Sequence, residues 1–202
     1  MDSRGIAQSI AQLARMSAGD GHVCGLTAAQ WNTLRFFARA NRFTRTVSAF
    51  AEFHATTRGT ASQTVKGLVS EGYLTRSRSD LDGRSVRFDL TDKGRSALSR
   101  DPLDALSEAI GNLPPGIRNQ LETSLKRLTE EVARTRGKPC FGSCRLCCHL
   151  ACTLRKPGGE PAYACDLLGQ PLAANDLDDL CVNFETAQPN VTPRPRRDGK
   201  TS

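Results

Sequence analysis

Seven of the eight cysteines fall in the last third of the chain: Cys140, Cys144, Cys147, Cys148, Cys152, Cys165 and Cys181. Cys144 and Cys147 have the two-residue gap that lets both thiolates of one turn converge on a metal. Cys165 and Cys181 arrive singly, after Ala162-Tyr163-Ala164 and after the acidic run Asp176-Leu177-Asp178-Asp179-Leu180. One pair plus two singles makes four thiolates, enough to close a tetrahedral zinc site or to hold an iron-sulfur cluster. We take Cys144, Cys147, Cys165 and Cys181 as the ligand set because they bracket the segment, with Cys140, Cys148 and Cys152 in reserve. Zinc ribbons more often use two paired knuckles and this segment has one, which tips the choice toward a cluster and leaves zinc as the alternative. His149 adjoins Cys148, but a lone histidine beside cysteines is more often structural or exposed, so it stands outside the set. Free, partly buried thiols are the competing reading.

A second set could read nucleic acid. Thr57, Arg58, Thr60, Ser62, Gln63, Thr64 and Lys66 are the outward positions of a helix whose Ala61, Val65 and Leu68 face inward. Glutamine can pair with adenine and arginine with guanine, and small hydroxyls let a helix approach the groove closely. A merely solvated polar face is the alternative. The charge favours the first reading: of a net +7, residues 35–100 carry thirteen Lys/Arg against six Asp/Glu, while residues 141–202 carry seven of each.

Helices must position both sets. Ile6, Ile10, Leu13 and Met16 mark a first helix that stops at Gly19-Asp20-Gly21. Thr27 and Gln30 form a capping-box start for a second, running to about Ala40 with Leu34, Phe37 and Ala38 on its apolar face. Val47, Phe50 and Phe53 predict a third over Thr46 to Ala55, and a fourth begins near Thr57 and stops before Gly72. Tyr73 to Thr75 and Ser85 to Leu90 alternate as strand partners around Ser79-Asp80-Leu81-Asp82-Gly83, a hairpin wing. Thr91-Asp92-Lys93-Gly94 opens another helix, interrupted or extended around Pro102, with Leu103, Leu106, Ile110 and Leu113 as its stripe. Pro114-Pro115-Gly116 breaks it, and Ile117, Leu121, Leu125, Leu128 and Val132 mark the last helix.

The fold class expected is therefore mainly α with a small β wing: a winged helix-turn-helix, flanking helices and a Cys-rich C-terminal module. The last helix has more apolar surface than one winged domain must cover, and with the first it suggests a homodimer interface; ordinary core helices of a monomer are the alternative. We place the winged domain at 1–136, with dimerisation helices at about 1–25 and 95–136, the metal-binding module at 137–187 and a disordered basic tail at 188–202.

Leu26-Thr27-Ala28-Ala29-Gln30-Trp31, the helix pair from Thr46 to Leu68, Gly72-Tyr73-Leu74, and Asp82-Gly83-Arg84 through Leu90-Thr91-Asp92-Lys93-Gly94 resemble the MarR family of bacterial transcriptional regulators over roughly residues 5 to 136. That resemblance implies a homodimer with interlocking terminal helices, each lobe reading half of a pseudo-palindrome in double-stranded DNA. It implies a major-groove face from Arg58 to Lys66, with Arg84 entering the minor groove and Asp82 orienting it. The cysteine extension is similar to appendages on some MarR-like proteins. Some relatives sense peroxide through a thiol, a role Cys24 in Gly21-His22-Val23-Cys24-Gly25 could fill; a small hydrophobic cysteine is the stronger reading.

Composition bounds the rest. At 202 residues, 24% charged and 38% hydrophobic, the chain has an ordinary soluble composition. No window approaches a membrane span and the N-terminus lacks a leader pattern, so a cytoplasmic protein without membrane partners is expected. A reducing compartment disfavours structural disulfides. A thiol-redox enzyme is a competing class, but no β-α-β pattern surrounds Cys144-Arg145-Leu146-Cys147, and neither a phosphate-cradling glycine loop nor a His-Glu-x-x-His helix is present. A metal-binding interaction adaptor is the third class. The expected function is a regulator whose DNA affinity responds to the module's metal or redox state or to a small-molecule effector. The winged domain's apolar faces look complete without the module, so it is expected to survive the module's unfolding.

Overall fold

Local capping decides most helix starts in the computed structural model, which describes residues 2–18, 23–78, 86–154 and 161–186. Helix α1 spans Ser3–Met16, opened by Asp2, whose side chain accepts the Gly5 N–H at 2.8 Å. Helix α2 spans Ala28–Arg39 and carries both halves of the expected capping box: Thr27 Oγ1 accepts the Gln30 N–H, and Gln30 Oε1 accepts the Thr27 N–H at 2.9 Å. It buries Trp31, Leu34, Phe36 and Phe37 at the centre of the core. Helix α3, Val47–Phe53, is capped by Thr46, and α4, Arg58–Ser70, by Thr57. Ala61, Val65 and Leu68 are the buried face of α4, as their spacing requires.

Gly72, at φ +77°, ends α4 by reversing the chain, so that its own N–H meets the Val69 carbonyl and the Tyr73 N–H returns to that of Leu68 at 2.8 Å. Strands β1, Leu74–Arg78, and β2, Val86–Leu90, follow as an antiparallel pair with Leu74 opposite Leu90 and Arg78 opposite Val86. Thr91 then caps α5, Asp92–Leu98, and donates its hydroxyl to the Gly72 carbonyl at 2.7 Å. Position 94 must be glycine because a Cβ there would run into the Tyr73 carbonyl oxygen. The Leu-Thr-Asp-Lys-Gly run is thus a packing device locking wing to helix.

Helix α6 spans Asp104–Gly111 and α7 spans Pro115–Thr135. Of the two outcomes expected around Pro102 the structure has the interruption: α5 and α6 are separate helices, divided where Arg35 of α2 binds Asp101. The Pro-Pro-Gly run does more than break a helix: Pro115 occupies the first turn of α7, where its missing N–H costs nothing. No residue of α1, α6 or α7 is fully buried.

Beyond α7 the chain forms strands that the short segments between cysteines do not announce. Strand β3, Gly142–Ser143, pairs with β7, Leu180–Cys181. Strands β4, Leu150–Leu154, β5, Pro161–Cys165, and β6, Gln170–Leu172, make an antiparallel sheet in that order. Cys144, Cys165, Leu172, Leu177 and Cys181 form a small second core, joined by Phe43 from the winged domain. In exchange, Phe141 and Val182 pack against the winged-domain core. The module is therefore docked on the reader, and the reader's apolar faces are not complete without it. The hairpin tip with Asp82 and Arg84, the Gly19-Asp20-Gly21 stop and the tail from 187 lie outside the described residues.

Candidate functional site

The outer face of α4 is one candidate. Of the positions singled out above, Thr57, Arg58, Thr60, Gln63 and Lys66 are exposed and Ser62 and Thr64 half-buried. Their chemistry divides. Thr57 Oγ1 accepts the Thr60 N–H at 3.1 Å and pairs with the Thr60 hydroxyl at 2.9 Å, while the Thr64 hydroxyl donates to the Thr60 carbonyl. These three hydroxyls therefore have local partners that shape the start of the helix. Among the described residues no hydrogen bond or ion pair engages the side chains of Arg58, Ser62, Gln63 or Lys66, so those side chains are free for an external partner. Sequence reasoning passed over Arg76 and Arg78, both exposed on β1 and leading toward the wing tip.

The cysteine module is the other. A three-residue 3₁₀ turn, Cys144–Leu146, folds so that the Cys147 N–H meets the Cys144 carbonyl at 3.1 Å. The β3–β7 pairing sets Gly142 opposite Cys181, bringing the end of the module back to Cys144. Cys165 ends β5 and turns at Gly169 toward β6. Arg145 grips Asp178 with two hydrogen bonds, at 2.5 and 3.0 Å, tying the first knuckle to the last turn. Cys144, Cys165 and Cys181 are buried and Cys147 half-buried.

The four chosen thiols act on one another. The hydrogen bond with Cys181, then burial, then the charges of Cys181, Cys147 and Cys165 push the Cys144 thiol up. Burial pushes Cys165 up as well, against the pull of the Leu168 and Leu167 backbone N–H groups on its sulfur. Cys181 is drawn down, first by its bond to Cys144 and, against its burial, by Asn41, the Asn183 N–H and Thr44. Three buried thiols and a half-buried one, with N–H groups already aimed at Cys165 and Cys181, are a donor set that a cation would complete. Among the described residues no three of these sulfurs lie within 4.8 Å of one another, whereas a zinc ion with bonds of about 2.3 Å holds its sulfurs roughly 3.8 Å apart.

A tighter trio lies beside them. The ligand atoms of Cys148, His149 and Glu185 fall within 4.8 Å of one another, the Cys148 thiol donating to Glu185 at 3.8 Å and His149 Nε2 lying 3.3 Å from the same carboxylate oxygen. Cys148 and Glu185 are exposed, and each member of the trio has another for a neighbour. Sequence reasoning set His149 aside and never considered Glu185, because nothing local connects residues so far apart. Cys152 is exposed and Cys140 and Cys24 half-buried.

Residues 25–85 match a family model described as MarR family. Sequence comparison with curated proteins gives no match. Among solved structures, a MarR transcriptional regulator from Methanosarcina mazei Go1 superposes with a TM-score of 0.54 at 24% identity, covering 66% of this chain and 99% of that one. The MepR–DNA complex of S. aureus gives 0.53 at 16% identity, covering 65% and 98%. CouR from Rhodococcus jostii RHA1, bound to p-coumaroyl-CoA, gives 0.53 at 16%, covering 63% and 92%. The fold is the winged helix-turn-helix of these proteins.

Proposed function

We propose that the protein is a homodimeric, DNA-binding transcriptional regulator rather than an enzyme. The observation that carries this reading is the outer face of α4, where Arg58, Ser62, Gln63 and Lys66 stand without partners among the described residues. Behind them Ala61, Val65 and Leu68 anchor the helix rigidly to the core. A basic, hydrogen-bonding helix face beside a two-stranded wing suits a major groove, and the family match over 25–85 agrees with it. By the same resemblance, Arg84 with Asp82 would serve the minor groove.

What the fold leaves uncovered supports the homodimer. Ile6, Ile10, Leu13 and Met16 on α1 are 42–74% exposed, and Ile117, Leu125, Leu128 and Val132 on α7 are 41–55% exposed. Such stripes on two terminal helices suit a second copy of the same chain. A pseudo-palindromic operator would match that two-fold symmetry.

In this reading Cys144, Cys147, Cys165 and Cys181 hold an iron-sulfur cluster in preference to a single zinc, because zinc ribbons more often use two paired knuckles and this segment has one. The bound group would supply a metal- or redox-dependent state to control DNA affinity; a small-molecule effector is the other control. No helix among the described residues is long and apolar enough to cross a membrane, in keeping with a cytoplasmic place of work. The test is selection of duplexes from a random pool, with affinity measured against salt. Recovery of an inverted repeat, bound by a dimer with a steep salt dependence, supports the proposal. A monomer whose DNA binding ignores salt overturns it.

A further inference from the structure

Asn41 and Thr44, in the turn between α2 and α3, are polar and fully buried, each 0% exposed. An amide and a hydroxyl in such a place need partners, and theirs lie in the cysteine module. Asn41 Nδ2 donates to Cys144 Sγ at 3.9 Å. Its Oδ1 accepts the Phe43 N–H at 3.1 Å, which fixes the amide's orientation, and its backbone N–H donates to the Leu180 carbonyl at 2.9 Å. Thr44 Oγ1 accepts the Val182 N–H at 2.9 Å, which holds the residue next to Cys181. The reading domain thus donates to the Cys144 sulfur itself and holds the backbone on both sides of Cys181.

We infer that the turn 40–46 is the outer shell of the thiolate centre and the route by which the centre's metal state reaches the DNA-reading face. The inference rests on the thiolate-centre reading above and adds its coupling to the reader. Donors aimed at a thiolate stabilise its charge and orient it, and such outer partners are ordinarily worth 10–100-fold in metal affinity. When the metal leaves, Cys144 and Cys181 lose the bonds that fix their sulfurs, and the contacts of Asn41 and Thr44 with Cys144, Leu180 and Val182 loosen with them.

The next residues pass that change on. Arg45 donates from Nε to the Ala40 carbonyl at 2.8 Å, closing the turn, and from a terminal nitrogen to Asp89 of β2 at 2.7 Å. Its carbonyl accepts the Phe88 N–H at 3.0 Å. Thr46 caps α3, which packs on α4. One short turn therefore grips the sulfurs at one end and holds both the wing strand and the helix pair at the other. Linkage requires that an element biased by the metal bias the metal in return, by the same factor.

The test uses the full chain, purified without oxygen, and two variants. Thr44→Val keeps shape and loses the hydroxyl; Asn41→Leu keeps volume and loses the donors. Metal retention is read by chelator competition, and DNA affinity is read for loaded and chelator-stripped protein on a duplex selected with the wild type. We expect both variants to release metal about 10–100-fold more readily. We also expect the difference between loaded and stripped DNA affinity, present in the wild type, to shrink in them. Helical circular dichroism and dimer mass matching wild type identify the folded variant, and Thr44→Val decides if Asn41→Leu misfolds. Wild-type protein that binds no metal overturns the thiolate-centre reading and this inference with it. Metal-loaded wild type whose folded variants hold metal equally well, or whose DNA affinity ignores stripping, overturns this inference alone.

Discussion

The ring of Phe141 meets that of Phe53 edge-on, with centroids 5.0 Å apart and planes at 79°. Phe53 ends α3 of the reader, and Phe141 opens the cysteine module. Phe141 also reaches Phe36 at 6.5 Å, so one aromatic side chain of the module closes a cluster that the reader's own helices leave open. Phe141→Ala is expected to cost the winged domain about 2 kcal/mol, less than the 3–5 of a fully buried phenylalanine because this ring is only half-buried. Urea unfolding followed by Trp31 fluorescence reads the loss; an unchanged midpoint would show the reader to be independent of the module.

Lys66 and Arg58 should separate by role. Lys66→Ala is expected to weaken binding to all duplexes alike and to lower the salt slope by about one, as loss of a single phosphate contact does. Arg58→Ala is expected to cost on the order of 1–3 kcal/mol and to relax preference at one base pair if it reads a base edge. Equal binding by wild type and both variants would place α4 off the DNA.

The ligand set can be read one cysteine at a time. Serine at Cys144, Cys147, Cys165 or Cys181 should remove the bound metal, measured by elemental analysis and visible absorption, and loosen the module. Serine at Cys24, Cys140 or Cys152 should not. Loss in Cys148→Ser with full occupancy in Cys181→Ser would move the site to the trio of Cys148, His149 and Glu185.

His54 packs against Phe50 at 4.8 Å and Phe53 at 5.0 Å. Burial, opposed by a hydrogen bond to the Asn32 backbone, holds its imidazole below the ordinary 6.5. The sign follows: as pH falls past 6.5 the unfolded chain takes up a proton that the folded one refuses, so stability drops from there down to the folded value and is flat above. His54→Leu should flatten that window. An identical slope in the variant would assign the effect to another group.

Gly94→Ala should destabilise the fold by roughly 1–3 kcal/mol, the usual cost of overpacking, because its Cβ would meet the Tyr73 carbonyl. A thermal melt unchanged by the substitution would show that the wing can shift to make room.

Local features were legible in the chain alone. The Thr27–Gln30 box, the Ala61-Val65-Leu68 face and the Gly72 reversal each depend on residues within a few positions of one another, so spacing and residue type suffice to find them. The same holds for the Cys144–Cys147 turn, and for the apolar stripes of α1 and α7, whose lack of cover only the structure shows. The strands between the cysteines escaped because segments of two to five residues carry too short an alternation to identify. What the tertiary structure alone decided is the docking. Asn41 lies 103 residues from Cys144 and Thr44 lies 138 from Val182, and nothing in either neighbourhood announces the other. A buried asparagine and a buried threonine look like ordinary turn residues in sequence. Burial obliges them to find partners, and only the folded chain determines that those partners are the thiols and backbone of the module.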